Sequence, residues 1–170
     1  MHNVLDYARI EQRRKEYNFA DGDVTALVRH TVELMRPSAA ERSVGVTLNA
    51  CSVDAVIDGE ALEQALINLL DNAFKFSATG STVTVELKRT ERAFAIGVTD
   101  EGPGVPAAER ERIFEHFYRS ENELRRETKG VGIGLSIVKH VTAAHGGTIT
   151  VTDSPTGGAV FTLAIPLKRP

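Results

Sequence analysis

The sequence predicts an α+β fold, a two-layer sandwich with helices on one face of a mixed, mostly antiparallel sheet. Two observations predict it. Apolar residues recur at helical spacing in some segments and alternate with polar residues in others. These segments follow the order helix, strands, helix, hairpin, polar segment, helix, hairpin. That order is typical of helices and strands segregated into two layers.

The composition is that of one globular domain. The 170 residues are 42% hydrophobic and 25% charged. The formal net charge is −3, so the chain as a whole does not attract nucleic acid or an anionic membrane. No run of 18 apolar residues and no secretory signal pattern occurs. We therefore expect a cytoplasmic domain, and a membrane anchor in a longer parent stays open. The single cysteine, Cys51, is expected to be a small buried hydrophobe.

The first part of the chain predicts two helices and two strands. Residues 1–16 have an apolar stripe and a charged end but no core of their own, so we expect the end of a helix that begins upstream. An amphipathic helix is predicted from Asp23 to about Ala40. Alternation predicts strands over 44–51 and 54–57.

The middle of the chain predicts a helix and a hairpin. The signal Asp58-Gly59-Glu60 is typical of a helix start, and the apolar residues behind it trace one face of a helix over 60–76. Residues 81–89 and 92–99 alternate, with Thr90-Glu91 at the turn between them.

A polar segment separates this hairpin from the last elements. Of the 24 residues from 107 to 130, 12 are charged, which predicts a mobile lid with one short helix near Ile113–Phe117. A helix over 133–145 and strands over 148–153 and 159–165 follow it.

Three polar side chains share one face of the helix over 60–76. Asn68, Asn72 and Lys75 lie at i, i+4 and i+7. Helix interiors disfavour asparagine. An amide oxygen at this face could hold a hydrated Mg²⁺ ion, and the ammonium could bind phosphate. A solvated helix face explains the same residues, and from this helix alone the two interpretations are equal.

Two glycine-rich segments add candidate binding groups. Asp100-Glu101-Gly102-Pro103-Gly104-Val105 follows a strand, where a carboxylate could accept from an exocyclic amine and glycines could admit a flat ring. A simple turn is the alternative. Gly130-Val131-Gly132-Ile133-Gly134-Leu135 opens a helix, whose free N–H groups suit phosphates. Local positive charge comes from Arg119, Arg125, Arg126 and Lys129.

The order of these segments resembles the catalytic, ATP-binding domain of sensor histidine kinases. Leu66–Phe76 (LINLLDNAFKF) resembles the N box, and Asp100–Val105 the first glycine box. Ile113–Arg119 (IFEHFYR) resembles the F box, and Gly130–Gly147 the second glycine box with its helix. The closing GGAVFTLAIP resembles the last strand, so the resemblance covers about residues 17–168.

The resemblance implies a Bergerat ATP-binding fold of the GHKL superfamily, which includes gyrase and mismatch-repair ATPases. It implies that residues 1–16 are the end of a truncated dimerisation helix and 17–170 the catalytic domain. The implied partners are ATP with Mg²⁺, the histidine-bearing dimerisation domain of the parent kinase and a response-regulator receiver domain, with no nucleic acid. We expect a monomeric fragment of a homodimeric parent.

The same resemblance assigns roles to single positions. Asn72 would bind Mg²⁺, Asn68 and Lys75 would contact phosphate, Phe76 would pack on the adenine, and Asp100 would receive the adenine amino group. Catalytic roles are implied for Asn68, Lys75 and Arg119. The other implied nucleotide-binding residues are Gly102, Gly104, Val105, Lys129, Gly130, Val131, Gly132, Ile133, Gly134 and Leu135.

One position separates the chemistries within the superfamily. Gyrase-like ATPases carry a water-activating Glu four residues before the metal-binding Asn, and this chain carries Asn68 there. An amide cannot act as a general base. The resemblance therefore implies that ATP is kept for a histidine nucleophile. None of the five histidines stands in the phosphoacceptor motif of the family: His2, His30, His116, His140 and His145.

The chain departs from the family pattern at two positions, and three alternatives remain. Val131 stands where Thr or Ser is common, and Phe76 where Tyr is usual. The alternatives are an anti-sigma-factor serine kinase, a non-catalytic nucleotide-binding module and a gyrase-like ATPase. The FYR segment and the GLSIVKHVTAAHGG helix favour a histidine kinase over the first.

Overall fold

The computed structural model describes residues 15–115, 118 and 132–168, and these residues form the two expected layers. The helices are α1 (Val24–Glu41), α2 (Gly59–Phe76) and α3 (Gly134–Ala144). The strands are β1 (Ala20–Asp23), β2 (Gly45–Ala50), β3 (Asp54–Ile57), β4 (Thr82–Arg89), β5 (Ala93–Thr99), β6 (Thr148–Asp153) and β7 (Ala159–Pro166).

The main sheet has five strands in the order β2-β4-β5-β7-β6. Strand β2 runs parallel to β4, and the other neighbours are antiparallel. The predicted α+β sandwich with a mixed, mostly antiparallel sheet is confirmed. Strand β1 was not predicted. Its sequence ADGD carries no apolar alternation, and it forms a separate antiparallel pair with β3 through backbone pairing.

Apolar residues at every second strand position build the core between the sheet and the helices. In β7 the residues Ala159, Phe161, Leu163 and Ile165 are buried, and the residues between them are half-buried. Helix α2 covers this face with a stripe of leucines that are 0–1% exposed, and burial of this kind contributes about 2 kcal/mol per side chain. Those leucines are Leu62, Leu66, Leu69 and Leu70.

Aspartates begin the two long helices. The carboxylate of Asp23 accepts from the Ala26 N–H of α1 at 2.8 Å, and that of Asp58 accepts from the Ala61 N–H of α2 at 3.0 Å. Each bond satisfies one of the N–H groups that a helix start leaves open. The predicted helix start at Asp58 is confirmed.

The predictions for Cys51, for the lid and for the N-terminal residues have separate outcomes. The prediction that Cys51 is buried is wrong, because it is exposed just beyond the end of β2. In the lid, two 3₁₀ turns span Ala107–Glu109 and Arg112–Phe114. The short helix predicted near Ile113–Phe117 is therefore described only up to Glu115, which is already extended, and residues 116 and 117 lie outside the described residues. Residues 1–14 lie outside them too. No helix in the described part of the chain is long and apolar enough to cross a bilayer.

Candidate functional site

Asp100 is a buried carboxylate with one oxygen fixed to the backbone. It follows β5 and is 4% exposed. Its N–H donates to the Ala159 carbonyl at 2.9 Å, and its Oδ1 accepts from the N–H groups of Gly102 at 2.8 Å and Ala159 at 3.2 Å. Within the described residues, no hydrogen bond reaches Oδ2. This second oxygen can accept a hydrogen bond from a ligand.

Burial raises the pKa of Asp100 above its ordinary value of 3.8, because desolvation penalises the charged form. The N–H groups of Gly102 and Ala159 stabilise the charged form and offset part of this rise. A buried carboxylate with an open acceptor position is typical of a functional site, because the fold gains no stability from burying it.

Glycines from two loops close around Asp100. A Cβ on Gly102 would lie 2.8 Å from the Phe76 carbonyl oxygen and 2.9 Å from Asp100 Oδ1. Gly158 has a φ of 98°, and a Cβ there would overlap the carbonyl oxygen of Asp100. Gly104 has a φ of 72° and approaches Gly158 in turn. The end of α2, the loop after β5 and the β6–β7 turn therefore meet at this carboxylate.

The polar stripe of α2 does not face solvent along its whole length. Asn68 is 7% exposed, and a Cβ on Gly134, the first residue of α3, would lie 3.7 Å from its Oδ1. Asn72 and Lys75 are half-buried on the following turns, and the Lys75 Nζ atom lies 5.3 Å from the centroid of the Phe76 ring. The interpretation of the stripe as a solvated face is wrong for Asn68.

The start of α3 is a second candidate binding position, because no side chain caps its backbone N–H groups. Ile133, which precedes the helix, is 4% exposed and makes no side-chain capping bond. Gly132 before it has a φ of 71°. The first N–H groups of a helix have no intrahelical partner, and they carry the positive end of the helix dipole. An anion beside Asn68 would meet these groups.

Arg110 holds the loop that follows the first glycine segment. Its Nε donates to the Val105 carbonyl at 3.1 Å, and its Nη2 lies 2.6 Å from the Asp153 carboxylate at the end of β6. Farther on, Phe114 is buried, and its ring meets Phe161 edge-on at 6.3 Å between centroids. The described start of the lid is therefore anchored to the sheet.

The candidate site thus combines three features: a buried carboxylate that can accept a hydrogen bond, glycines that pack against it, and a helix start without a side-chain cap. The family model for histidine kinase-, DNA gyrase B- and HSP90-like ATPases matches residues 57–169. The chain belongs to this family. Within it, the chain is a catalytic, ATP-binding domain of the histidine kinase type, as the sequence predicted.

Relatives and solved structures agree with this assignment. Sensor histidine kinase TmoS of Ectopseudomonas mendocina is 36% identical over 174 residues, which cover 100% of this chain and 18% of TmoS. Sensor-like histidine kinase SenX3 of Mycobacterium tuberculosis is 37% identical over 164 residues, which cover 96% of this chain and 40% of SenX3. The chain therefore spans less than half of either relative.

Two solved kinases share the fold of this kinase domain. The mycobacterial sensor histidine kinase MprB is 29% identical with a TM-score of 0.78, and the match covers 90% of this chain and 100% of the MprB chain. Full-length ShkA in complex with AMPPNP is 31% identical with a TM-score of 0.84, and the match covers 99% of this chain and 35% of the ShkA chain.

The structure of the kinase domain brings most of the expected nucleotide-binding residues into two groups. Asp100, Gly102 and Gly104 meet the end of α2 at Phe76, and Asn68 meets the start of α3 at Gly134. Val105, Ile133 and Leu135 are half-buried or buried beside these groups. Four expected residues lie outside the described part of the chain: Arg119, Lys129, Gly130 and Val131.

Sequence reasoning missed three residues that build the site of the kinase domain. Gly158 and Ala159 contact Asp100 from the β6–β7 turn, and Arg110 fixes the loop after it. The pair Gly157-Gly158 carried a signal, but it indicated only a turn. Nothing in the local sequence links that turn to a carboxylate nearly sixty residues earlier.

Proposed function

We propose that this domain binds Mg²⁺-ATP and transfers the γ-phosphoryl group to a histidine of a dimerisation domain in a two-component kinase. One observation supports the proposal: a buried carboxylate with an open oxygen lies beside Phe76 at the end of α2, and an uncapped helix start lies beside Asn68 of the same helix. ShkA, which shares the fold, holds the ATP analogue AMPPNP.

The adenine end of the site is Asp100. Its Oδ2, to which no described residue donates, accepts from the exocyclic amino group. Gly102 and Gly104 belong to the same adenine pocket, because their missing side chains let the backbone of Phe76 and Gly158 pack close around the carboxylate. Phe76, at the end of α2, offers an aromatic face beside this loop. The half-buried Val105 adds an apolar edge.

The phosphate end is the start of α3. The N–H groups from Gly132 to Leu135 cradle the phosphates with the help of the Lys75 ammonium, and Asn68 lies against this helix start. The amide of Asn72, one turn on, fits Mg²⁺, a hard cation that takes oxygen ligands and keeps several waters and phosphate oxygens. An Mg²⁺ ion held at Asn72 would neutralise phosphate charge. We also assign Arg119 and Lys129 of the lid to the terminal phosphates.

The chain's residues favour transfer over hydrolysis. Asn68 stands where a general base would activate water, and an amide does not take up that proton. An imidazole nitrogen brought in-line would attack the γ-phosphorus, and ADP would leave. The protein's contribution is positioning and charge stabilisation.

The attacking histidine comes from a dimerisation domain outside these 170 residues. His30 is exposed on α1 beside Glu63, and His140 and His145 lie near the end of α3, away from Gly134. We assign residues 1–16 to the end of the dimerisation helix and 17–170 to the catalytic domain. A receiver domain would take the phosphate next, in the cytoplasm, where ATP is available.

Asn72→Ala is expected to remove most of the Mg²⁺ dependence of ATP binding. Wild type should bind ATP about tenfold more tightly with Mg²⁺ than without it, and the variant should bind equally under both conditions, because it lacks the amide ligand. Calorimetric titrations with and without Mg²⁺ measure this difference. Asp71→Ala is the matched control, since Asp71 is exposed and pairs with Arg42 at 3.5 Å. No ATP binding by wild type at millimolar nucleotide contradicts the proposal.

Phosphoryl transfer is tested with the dimerisation domain of the parent kinase added in trans. We expect acid-labile label from γ-labelled ATP on its histidine, and only slow release of inorganic phosphate when it is left out. Binding of ATP without any transfer would identify a non-catalytic module. Acid-stable label on a serine of an added anti-sigma antagonist would identify the serine-kinase alternative.

A further inference from the structure

His145 joins the two site-bearing helices at the end of the domain away from the nucleotide site. It follows α3 and is 2% exposed. Its Nδ1 lies 2.8 Å from the Val141 carbonyl oxygen, and its Nε2 accepts from the Asp58 N–H at 3.0 Å. A carbonyl needs a donor, so Nδ1 carries the ring proton and Nε2 is the acceptor. The bond therefore requires the neutral imidazole.

Asp58 is the point where three parts of the chain meet. Its carboxylate accepts from the Ala61 N–H and from the Asn18 N–H, the latter at 2.8 Å. Its carbonyl accepts from the Leu62 N–H of α2. The bond from its own N–H to His145 thus ties the start of α2 directly to the end of α3.

The spacing of the contacts makes this tie relevant to the nucleotide site. Asn68 lies ten residues after Asp58, and Gly134 lies eleven residues before His145. At 1.5 Å per residue these spans are about 15 Å and about 16 Å. The start of α2 meets the end of α3, and the middle of α2 meets the start of α3, so the helices are antiparallel. The two contacts are opposite ends of one interface.

We propose that His145 is a positioning residue for the phosphate-binding start of α3. Its bond to Asp58 fixes how far α3 is shifted and rotated along α2, and this in turn fixes the N–H groups at Gly134 relative to Asn68. This inference rests on the proposed function. Without the acceptor, the buried Asp58 N–H loses its partner, and α3 moves to relieve that cost.

Several charged and titratable groups of the described residues lie near the ring. They are the Asp58 carboxylate, the Tyr17 phenol at 6.4 Å between rings, the Lys15 ammonium over Tyr17, and the His140 imidazole stacked on Tyr17. The Phe19 ring packs edge-on against His145 at 4.9 Å. A variant that changes only residue 145 leaves the identity of all these groups unchanged.

His145→Phe and His145→Gln test the proposal together. Phenylalanine keeps the ring beside Phe19 but has no acceptor, whereas the glutamine Oε1 can accept from Asp58. We expect His145→Phe to bind ATP about tenfold more weakly and adenosine unchanged, because the Asp100 pocket does not depend on α3. His145→Gln should bind both like wild type. His30→Gln, at an exposed histidine, is the control, and NMR titrations measure both ligands.

The outcomes separate this inference from the proposed function. If wild type binds no ATP, the proposed function fails. If wild type binds ATP and His145→Phe binds it equally well, or loses ATP and adenosine in equal proportion, the positioning role is overturned.

A second variant covers a His145→Phe chain that fails to fold. His145→Leu also lacks an acceptor and is smaller than phenylalanine, so it takes the place of that chain. We expect it to bind ATP about tenfold more weakly than His145→Gln and to bind adenosine equally. Equal ATP affinity in these two variants overturns the positioning role, and a selective loss of ATP affinity in His145→Leu supports it.

Discussion

Asp100→Asn is expected to abolish ATP binding, with affinity lower by about 100-fold or more, while the fold remains intact. The amide oxygen can keep the bonds from Gly102 and Ala159. That orientation turns the NH₂ group to the position of Oδ2, where it meets the amino group of adenine as a second donor. Two buried donors facing each other leave both unpaired. Calorimetric titration with ATP measures the loss.

The same variant should not be less stable than wild type at neutral pH. Because the pKa of Asp100 is raised on folding, the folded chain binds this proton more tightly than the unfolded chain does. The associated stability is present below the ordinary value of 3.8 and is lost as the pH rises through the folded pKa. Asparagine has no charge to desolvate. Urea unfolding of the two chains should therefore favour the variant more at pH 7 than in acid.

Glu101→Gln is the matched control for both measurements. It makes the same change of charge at the next residue, which is exposed. The Oε1 atom of Glu101 accepts from the Thr82 N–H, with 3.4 Å between the nitrogen and the oxygen. We expect ATP affinity close to that of wild type. Equal losses in the two variants would show that overall charge, and not a bond to adenine, controls binding.

The fold was predictable where local pattern and final structure agree. Helix α2 has an aspartate at its start, a leucine stripe and a clear period, so its bounds were found within a residue. Strand β1 was not predictable, because it forms through pairing with β3, a segment more than thirty residues later. Cysteine is a residue type that is usually buried, but whether Cys51 is buried depends on where β2 ends.

The candidate residues could be chosen from the sequence by type, but their arrangement could not. The stripe on α2 and the glycine segments predicted a nucleotide site. Whether Asn68 faces solvent or a helix start depends on α3, whose first residue lies 66 positions later. The bond between Asp58 and His145 joins residues 87 apart. Local periodicity contains no information about such contacts, so they required the structure.

Gly158→Ala and Gly157→Ala should differ greatly, although the two residues are neighbours in one turn. Both have positive φ, 98° and 84°, so an alanine at either position costs about 1 kcal/mol from backbone conformation. A Cβ on Gly157 has no atom within 4 Å, whereas a Cβ on Gly158 would overlap the Asp100 carbonyl oxygen. We expect the Gly158 variant to lose at least about 3 kcal/mol more unfolding free energy, as severe buried overlaps do.

ATP binding should differ between these two variants in the same way as stability. Gly157→Ala should bind ATP like wild type, whereas any Gly158→Ala chain that folds must move the β6–β7 turn away from Asp100. That movement withdraws the Ala159 N–H from Oδ1 and releases the carboxylate. Denaturant unfolding and ATP titration of both variants measure the two effects. Equal stability and equal affinity would mean that the turn yields at no cost. In that case the geometry of Asp100 would be set by the Gly102 loop alone.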